Sequence, residues 1–80
     1  MKPRFTVIIE KDDDMYVGLC PELDIASQGN TIEETKQNLS EAVELFFEYA
    51  SPDEVKSRLN YDVFISSLEV NLGKAEEVIG

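Results

Sequence analysis

The chain has 80 residues, of which 17 are acidic and seven are basic, and its formal net charge is −10. A domain of this length has a small core and commonly gains stability from disulfides, a metal or self-association. Cys20 is the only cysteine, so no disulfide can form within one chain. The lack of histidine excludes histidine-ligated metals and the catalytic triads that need an imidazole. We therefore expect a single domain over 1–80 that forms a homodimer or a higher homo-oligomer.

The excess of acidic residues also restricts the classes of partner. Negative charge repels phosphate backbones, whereas it speeds the encounter with a basic protein. No apolar run reaches the roughly 18 residues of a membrane span, and the N-terminus lacks a signal-peptide pattern. We expect a cytoplasmic protein that binds neither membranes nor, directly, nucleic acid.

Three strand-like segments open the chain. Apolar and polar residues alternate over about 3–10 and again over 15–20, the period of strands with one buried face. The polar, mostly acidic residues 11–14 between them predict the turn of an antiparallel hairpin. Pro21 ends the second strand because it lacks a backbone donor. A short third strand is predicted over about 24–28.

A helix over about 32–50 is the best-defined element of the sequence. Thr31 and Glu34 form a capping box, in which each side chain can accept a hydrogen bond from the other residue's amide. The following positions recur at helical spacing and predict a core-facing stripe: Ile32, Leu39, Val43, Phe46, Phe47 and Ala50. We expect structural roles for Gly29, Thr31, Glu34, Leu39, Val43 and Phe46.

The C-terminal third predicts a second helix and a last strand. Pro52 at a first helical position favours a short helix over about 52–59. Alternation resumes over 65–72 and predicts a fourth strand, followed by a frayed tail over 74–80. The element order predicts an α+β, two-layer β-β-β-α-(α)-β sandwich.

The sequence offers few residues for catalysis. Cys20 precedes Pro21 with no fixed base nearby, so we interpret it as a small, semi-buried apolar residue. The acidic run 12–14 has the composition of a solvated turn. An alternative is a metal-dependent nuclease that uses Asp12, Asp14 and Asp24. Our main expectation is a binding protein with no catalytic residue, metal or cofactor.

The polar face of the long helix is the candidate contact surface. A leucine and a tyrosine lie among glutamates there, which is the composition of an interface with an acidic rim. Two further acidic residues around Pro21 can extend it. The candidate partner-binding residues are Glu22, Asp24, Glu41, Glu44, Leu45, Glu48 and Tyr49.

The segment 16–47 resembles the core of the HicB antitoxin family. The resemblance rests on a spaced set of four motifs: Tyr16-Val17, Pro21-Glu22-Leu23, Gly29-Asn30-Thr31 and Glu41-Ala42-Val43-Glu44-Leu45. It implies a partial ribonuclease-H-like fold and an antitoxin that binds and masks a small, basic, mRNA-cleaving toxin of the HicA type. It implies no catalytic residue and no cofactor.

Two departures from the family pattern bear on this expectation. Many members carry a C-terminal DNA-binding segment, whereas this chain ends at Gly80, so we expect a short form without that segment. The residues at 24–26 replace the usual Pro-Gly-Cys, and Thr35 replaces a common alanine. An orphan homo-oligomeric interaction module or regulator without a toxin remains the alternative.

Overall fold

The structure, a computed structural model, describes residues 3–59 and 62–79. Its strands are β1 (Ile8–Asp12), β2 (Met15–Cys20) and β3 (Ile25–Gly29). Its helices are α1 (Ile32–Tyr49), α2 (Pro52–Leu59) and α3 (Glu76–Ile79), the last preceded by a 3₁₀ turn at Gly73–Ala75. The α+β class is confirmed, because a three-stranded antiparallel sheet is followed by helices.

The sheet is a meander in the order β1-β2-β3. In the first hairpin Ile8 lies opposite Leu19 and Asp12 lies opposite Met15. Asp13 has a φ of 55°, a left-handed conformation that aspartate adopts more readily than most residues. In the second hairpin Cys20 lies opposite Ile25. β2 is therefore the central strand, and β1 and β3 are both edges of this sheet.

The first strand is shorter than predicted, since it begins at Ile8 and not near residue 3. Continued beyond Ile8, the register would place Thr6 opposite Pro21, which has no amide to donate to it. At this point the side chain of Glu22 replaces the hydrogen bonds of the β-ladder. The Glu22 carboxylate accepts hydrogen bonds from the Thr6 amide, at 2.9 and 3.1 Å, and from the Thr6 hydroxyl, at 2.7 Å.

The N-terminus of α1 lies very close to the sheet. The Glu34 amide donates to the Thr31 hydroxyl at 3.0 Å, which is one of the two hydrogen bonds of the predicted capping box. Thr35 is fully buried, and its hydroxyl donates to the Thr31 carbonyl at 2.7 Å. A Cβ on Gly29 would lie 2.8 Å from the Thr35 backbone nitrogen. Only glycine permits this close approach.

The core lies between α1 and the sheet. Cys20, Leu23 and Leu39 are its fully buried apolar residues. Half-buried apolar residues surround them: Phe5, Ile25, Val43, Phe46 and Phe47. Ile32 was predicted to belong to this stripe but is 52% exposed. The reason is its place at the first turn of the helix, where Thr35, one turn later, takes the position against β2.

The predicted fourth strand over 65–72 is not part of the sheet. Residues 62–72 have no regular secondary structure, and nearly all of their side chains are exposed. The predicted frayed tail instead contains the 3₁₀ turn and α3, where the Asn71 side chain accepts a hydrogen bond from the Gly73 amide at 2.9 Å. Alternation favours a strand conformation, but a strand also needs hydrogen bonds to a neighbouring strand, and residues 62–72 pair with none of the three strands.

No helix within the described ranges combines the length and the apolar character that crossing a membrane requires.

Candidate functional site

Five of the seven candidate partner-binding residues form one exposed surface of α1, which we call the acidic face. It consists of Glu41, Glu44, Leu45, Glu48 and Tyr49, all of them exposed. Glu41, Leu45 and Tyr49 recur every four residues, and Glu44 and Glu48 form a neighbouring row with the same spacing, so the five lie side by side along the last three turns of the helix. Leu45 is 53% exposed and Tyr49 is 78% exposed. Two apolar side chains, which lie among three carboxylates, are therefore available for contact with a partner.

The acidic face points to solvent because the opposite side of α1 packs on the sheet. Leu39, Val43 and Phe47 fill that opposite side. On the solvent side, the Ser40 hydroxyl and the Gln37 amide donate to Glu44 and Glu41, both at 3.4 Å. Hydrogen bonds this long are weak. The carboxylates thus keep most of their capacity to accept hydrogen bonds from basic side chains of a partner.

Glu22 lies apart from the acidic face and has a structural task. Its carboxylate holds Thr6 through the three hydrogen bonds given above, and the Cys20 thiol approaches it at 3.8 Å. Partial burial opposes ionisation, but the hydrogen bonds from Thr6 outweigh it and lower the pKa of Glu22 below its ordinary value. Glu22 is ionised at neutral pH, yet its oxygens already have donors.

Asp24 lies beside Glu22 at the mouth of an open cleft. The cleft has a volume of about 400 Å³ and is lined by Pro21, Glu22, Asp24, Ser57 and Arg58. Asp24 is exposed and has a φ of 54°, a left-handed backbone conformation within the β2–β3 turn. The seven candidates therefore divide into the acidic face on α1 and a separate pair at this cleft.

Sequence reasoning missed Arg58, which connects α2 to the rest of the fold. Its guanidinium donates a hydrogen bond to the Leu23 carbonyl and lies over the Phe46 ring, 5.2 Å from the centroid. Such a cation–π contact adds about 0.5 to 1 kcal/mol at a partly exposed site. The only signal in the sequence was a basic residue in the last turn of a short helix, which also occurs on plain solvated helices.

Two features of the described residues weigh against Cys20 as a nucleophile and against the metal site of the nuclease alternative. Burial raises the pKa of Cys20, and the neighbouring Glu22 carboxylate raises it further, so the thiolate is disfavoured. Asp12 and Asp14 lie at one end of β2 and Asp24 beyond the other, about 20 Å apart at the rise of a strand. No group of metal-ligating side chains occurs within 3–59 or 62–79.

Comparison with known proteins gives two curated relatives from Synechocystis sp. The UPF0150 protein ssr1258 is 47% identical over 49 residues, which cover 59% of this chain and 71% of the relative. The UPF0150 protein ssr1765 is 48% identical over 47 residues, which cover 56% of this chain and 60% of the relative. No family model matches the chain, and no solved structure matches it significantly.

Proposed function

The chain belongs to the UPF0150 family, and on this premise we propose that it is a HicB-like antitoxin that binds and masks a small, basic, mRNA-cleaving toxin of the HicA type. The spaced motifs over 16–47 support the family assignment that the proposal needs. The order of three antiparallel strands and a long helix supports the ribonuclease-H-like fold that it implies. In this proposal the protein binds the toxin in the cytoplasm, catalyses no reaction and does not contact nucleic acid directly.

The acidic face is the observation that carries the proposal. Leu45 and Tyr49 supply apolar area at the centre, and Glu41, Glu44 and Glu48 surround it. Binding energy in protein interfaces is concentrated in a few such apolar and aromatic contacts, while rim charges mainly set association rate and specificity. The net charge of −10 adds a long-range attraction to a basic partner.

Masking follows from competition for the same surface. A toxin that cleaves mRNA needs a basic groove for the phosphate backbone, because phosphate contacts dominate nucleic-acid affinity. A rigid helix that presents carboxylates to this groove excludes the RNA. Because the attraction is electrostatic, we expect the association rate to fall as salt is raised.

Co-expression with an adjacent gene for a small basic protein tests the proposal. We expect the two proteins to co-purify, growth arrest by the toxin to be relieved, and its RNA cleavage to stop at equimolar antitoxin. The double variant Leu45→Ala/Tyr49→Ala should weaken binding at least about tenfold, which corresponds to about 1.4 kcal/mol. Asp12→Asn/Asp14→Asn, on the distant hairpin, is the control and should bind nearly as wild type.

A second comparison separates charge from apolar contact. Glu44→Gln/Glu48→Gln removes as many charges as the hairpin control, and it should slow association more and reduce its salt dependence. A toxin that neither co-purifies with the chain nor loses activity in its presence would exclude the antitoxin role.

The alternative is an orphan homo-oligomeric module without a toxin. The exposed apolar side chains of residues 62–72 favour self-association. The absence of a neighbouring basic gene, together with a defined oligomer, would support this alternative.

A further inference from the structure

The chain exposes more surface than a compact protein of its mass. Its accessible surface is 6944 Å², whereas a folded monomer of 9.0 kDa exposes about 4,900 Å². Its radius of gyration is 16.5 Å, whereas about 12 Å is typical of 80 residues. About 2,000 Å² of surface is thus left for burial against something else, and a stable dimer buries about 800 Å² per partner.

The exposed apolar surface is concentrated in residues 62–72. Phe64, Leu68, Val70 and Leu72 occupy alternate positions and are 91%, 85%, 64% and 42% exposed. In a strand conformation they would share one face, because successive side chains point to opposite sides. The segment has the pattern of a half-buried strand but lacks a sheet.

The sheet of the described residues has an edge, β1, with which a further strand could pair. Among residues 3–59 and 62–79, β1 pairs only with β2, so its other side presents backbone donors and acceptors that no described strand pairs. A mostly apolar groove of about 180 Å³ lies between α1 and the residues that lead into β1. It is lined by Phe5, Val7, Cys20, Leu39 and Val43, together with Lys36 and Ser40. Val7 is 38% exposed, although Phe5 and Ile9, two residues to either side of it in the alternating pattern, are half-buried.

We propose that residues 63–72 of one copy pair as a fourth strand with β1 of a second copy, in a reciprocal strand exchange that fills the groove of each. Exchange of an identical element requires no new surface, because donor and acceptor are present on every chain. Residues 62–72 carry only Asp62 and Glu69 as charges, so the segment itself adds little to the repulsion between two acidic chains.

This inference rests only on the self-association that we predict for the chain, and not on the toxin. The experiments that test it contain no toxin. A failure of strand exchange therefore leaves the antitoxin proposal intact, and a failure of toxin masking leaves the exchange intact.

Mass measurement and NMR on the full chain test the exchange. Light scattering after size-exclusion chromatography should give a mass of twice 9.0 kDa. In an equimolar mixture of isotope-labelled and unlabelled chains, filtered NOE spectra should show contacts between residues 63–72 of one chain and β1 of the other. A monomer at all concentrations would overturn the proposal. So would a dimer whose 63–72 contacts to β1 occur only within one chain.

Matched charge substitutions test the predicted inward face. Leu68→Asp and Val70→Asp should each raise the dimer dissociation constant at least about tenfold, because a carboxylate would enter the apolar groove. Ser67→Asp adds the same charge on the opposite face and should change it less than about threefold. Equal effects of the three substitutions would overturn the proposal. Circular dichroism should show unchanged helix content, since the groove and α1 belong to residues 3–59.

Discussion

Residues 3–59 and residues 62–79 both carry alternating or periodic apolar side chains, but they use them differently. In residues 3–59, Leu23 and Leu39 are buried to 0% and 1% exposure between the helix and the sheet. In residues 62–79, Leu68 is 85% exposed. The two regions show that an apolar pattern predicts what a segment can bury, whereas packing against a complementary surface decides whether it is buried.

The largest contrast is expected between Leu39→Ala and Leu68→Ala. Leu39→Ala should lower the free energy of unfolding by about 3 kcal/mol, because it leaves a cavity at the centre of a small core. Leu68→Ala should change the unfolding of the monomer by less than about 0.5 kcal/mol. Urea titrations at several protein concentrations measure both, and only the Leu68 variant should lose stability in a concentration-dependent way. Equal losses at high dilution would show that residues 62–72 pack within their own chain.

A smaller contrast is expected between two glycines. Gly29→Ala should cost about 2 kcal/mol, because its Cβ would lie 2.8 Å from the Thr35 nitrogen and 2.9 Å from the Thr35 hydroxyl oxygen. Gly73 has a φ of 57°, and a Cβ there would meet no atom within 4 Å. Gly73→Asn should therefore cost less than about 0.5 kcal/mol, since asparagine tolerates this conformation. Thermal unfolding of the two variants measures the difference, and a harmless Gly29→Ala would contradict the close packing of α1 on β3.

The smallest expected effect concerns the side chain that holds the start of the chain to β2. Glu22→Gln should lower stability by about 1.5 kcal/mol at pH 7, because a charged acceptor for Thr6 is lost. The pKa of Glu22 is lowered in the folded state, so its contribution is complete above the ordinary value of 4.5 and is lost as pH falls through the folded-state pKa.

A pH series of unfolding experiments tests the sign of this effect. The difference between wild type and Glu22→Gln should be constant from pH 7 to about 5 and should shrink below 4.5. Glu10→Gln, at an exposed position of β1, is the control and should show a much smaller difference at every pH. A difference that grows on acidification would contradict the assigned role of Glu22.

Much of the fold could be predicted from the sequence, because the patterns that indicate it involve residues that are close together in the chain. The Thr31 cap and the periodic apolar residues predict α1 to within one residue, and Pro21 predicts the end of β2. The exposed positions of Leu45 and Tyr49 follow from helical spacing alone. Other features depend on how α1 and α2 pack on the rest of the fold, and no local sequence pattern predicts that packing. They are the burial of Thr35, the exposure of Ile32 and the hydrogen bond from Arg58 to the Leu23 carbonyl.

In the candidate site, too, some features follow from local sequence patterns and others depend on the tertiary fold. Composition and spacing place glutamates, a leucine and a tyrosine on one face of a helix, since the helix geometry is set by backbone hydrogen bonds within it. Glu22 could not be assigned from the sequence, because its oxygens are taken by Thr6, a residue 16 positions away.

The sequence by itself determined the acidic charge, the absence of histidine chemistry, the three strands and the long helix, because these depend on composition and on contacts between near neighbours. Only the tertiary structure decided that residues 65–72 stay outside the sheet, that Glu22 holds Thr6, and that β1 is an edge strand within the described part of the chain, preceded by residues that line an apolar groove. Each of these features depends on contacts between segments that are distant in sequence. Whether a segment is buried depends on those contacts as well as on its own sequence.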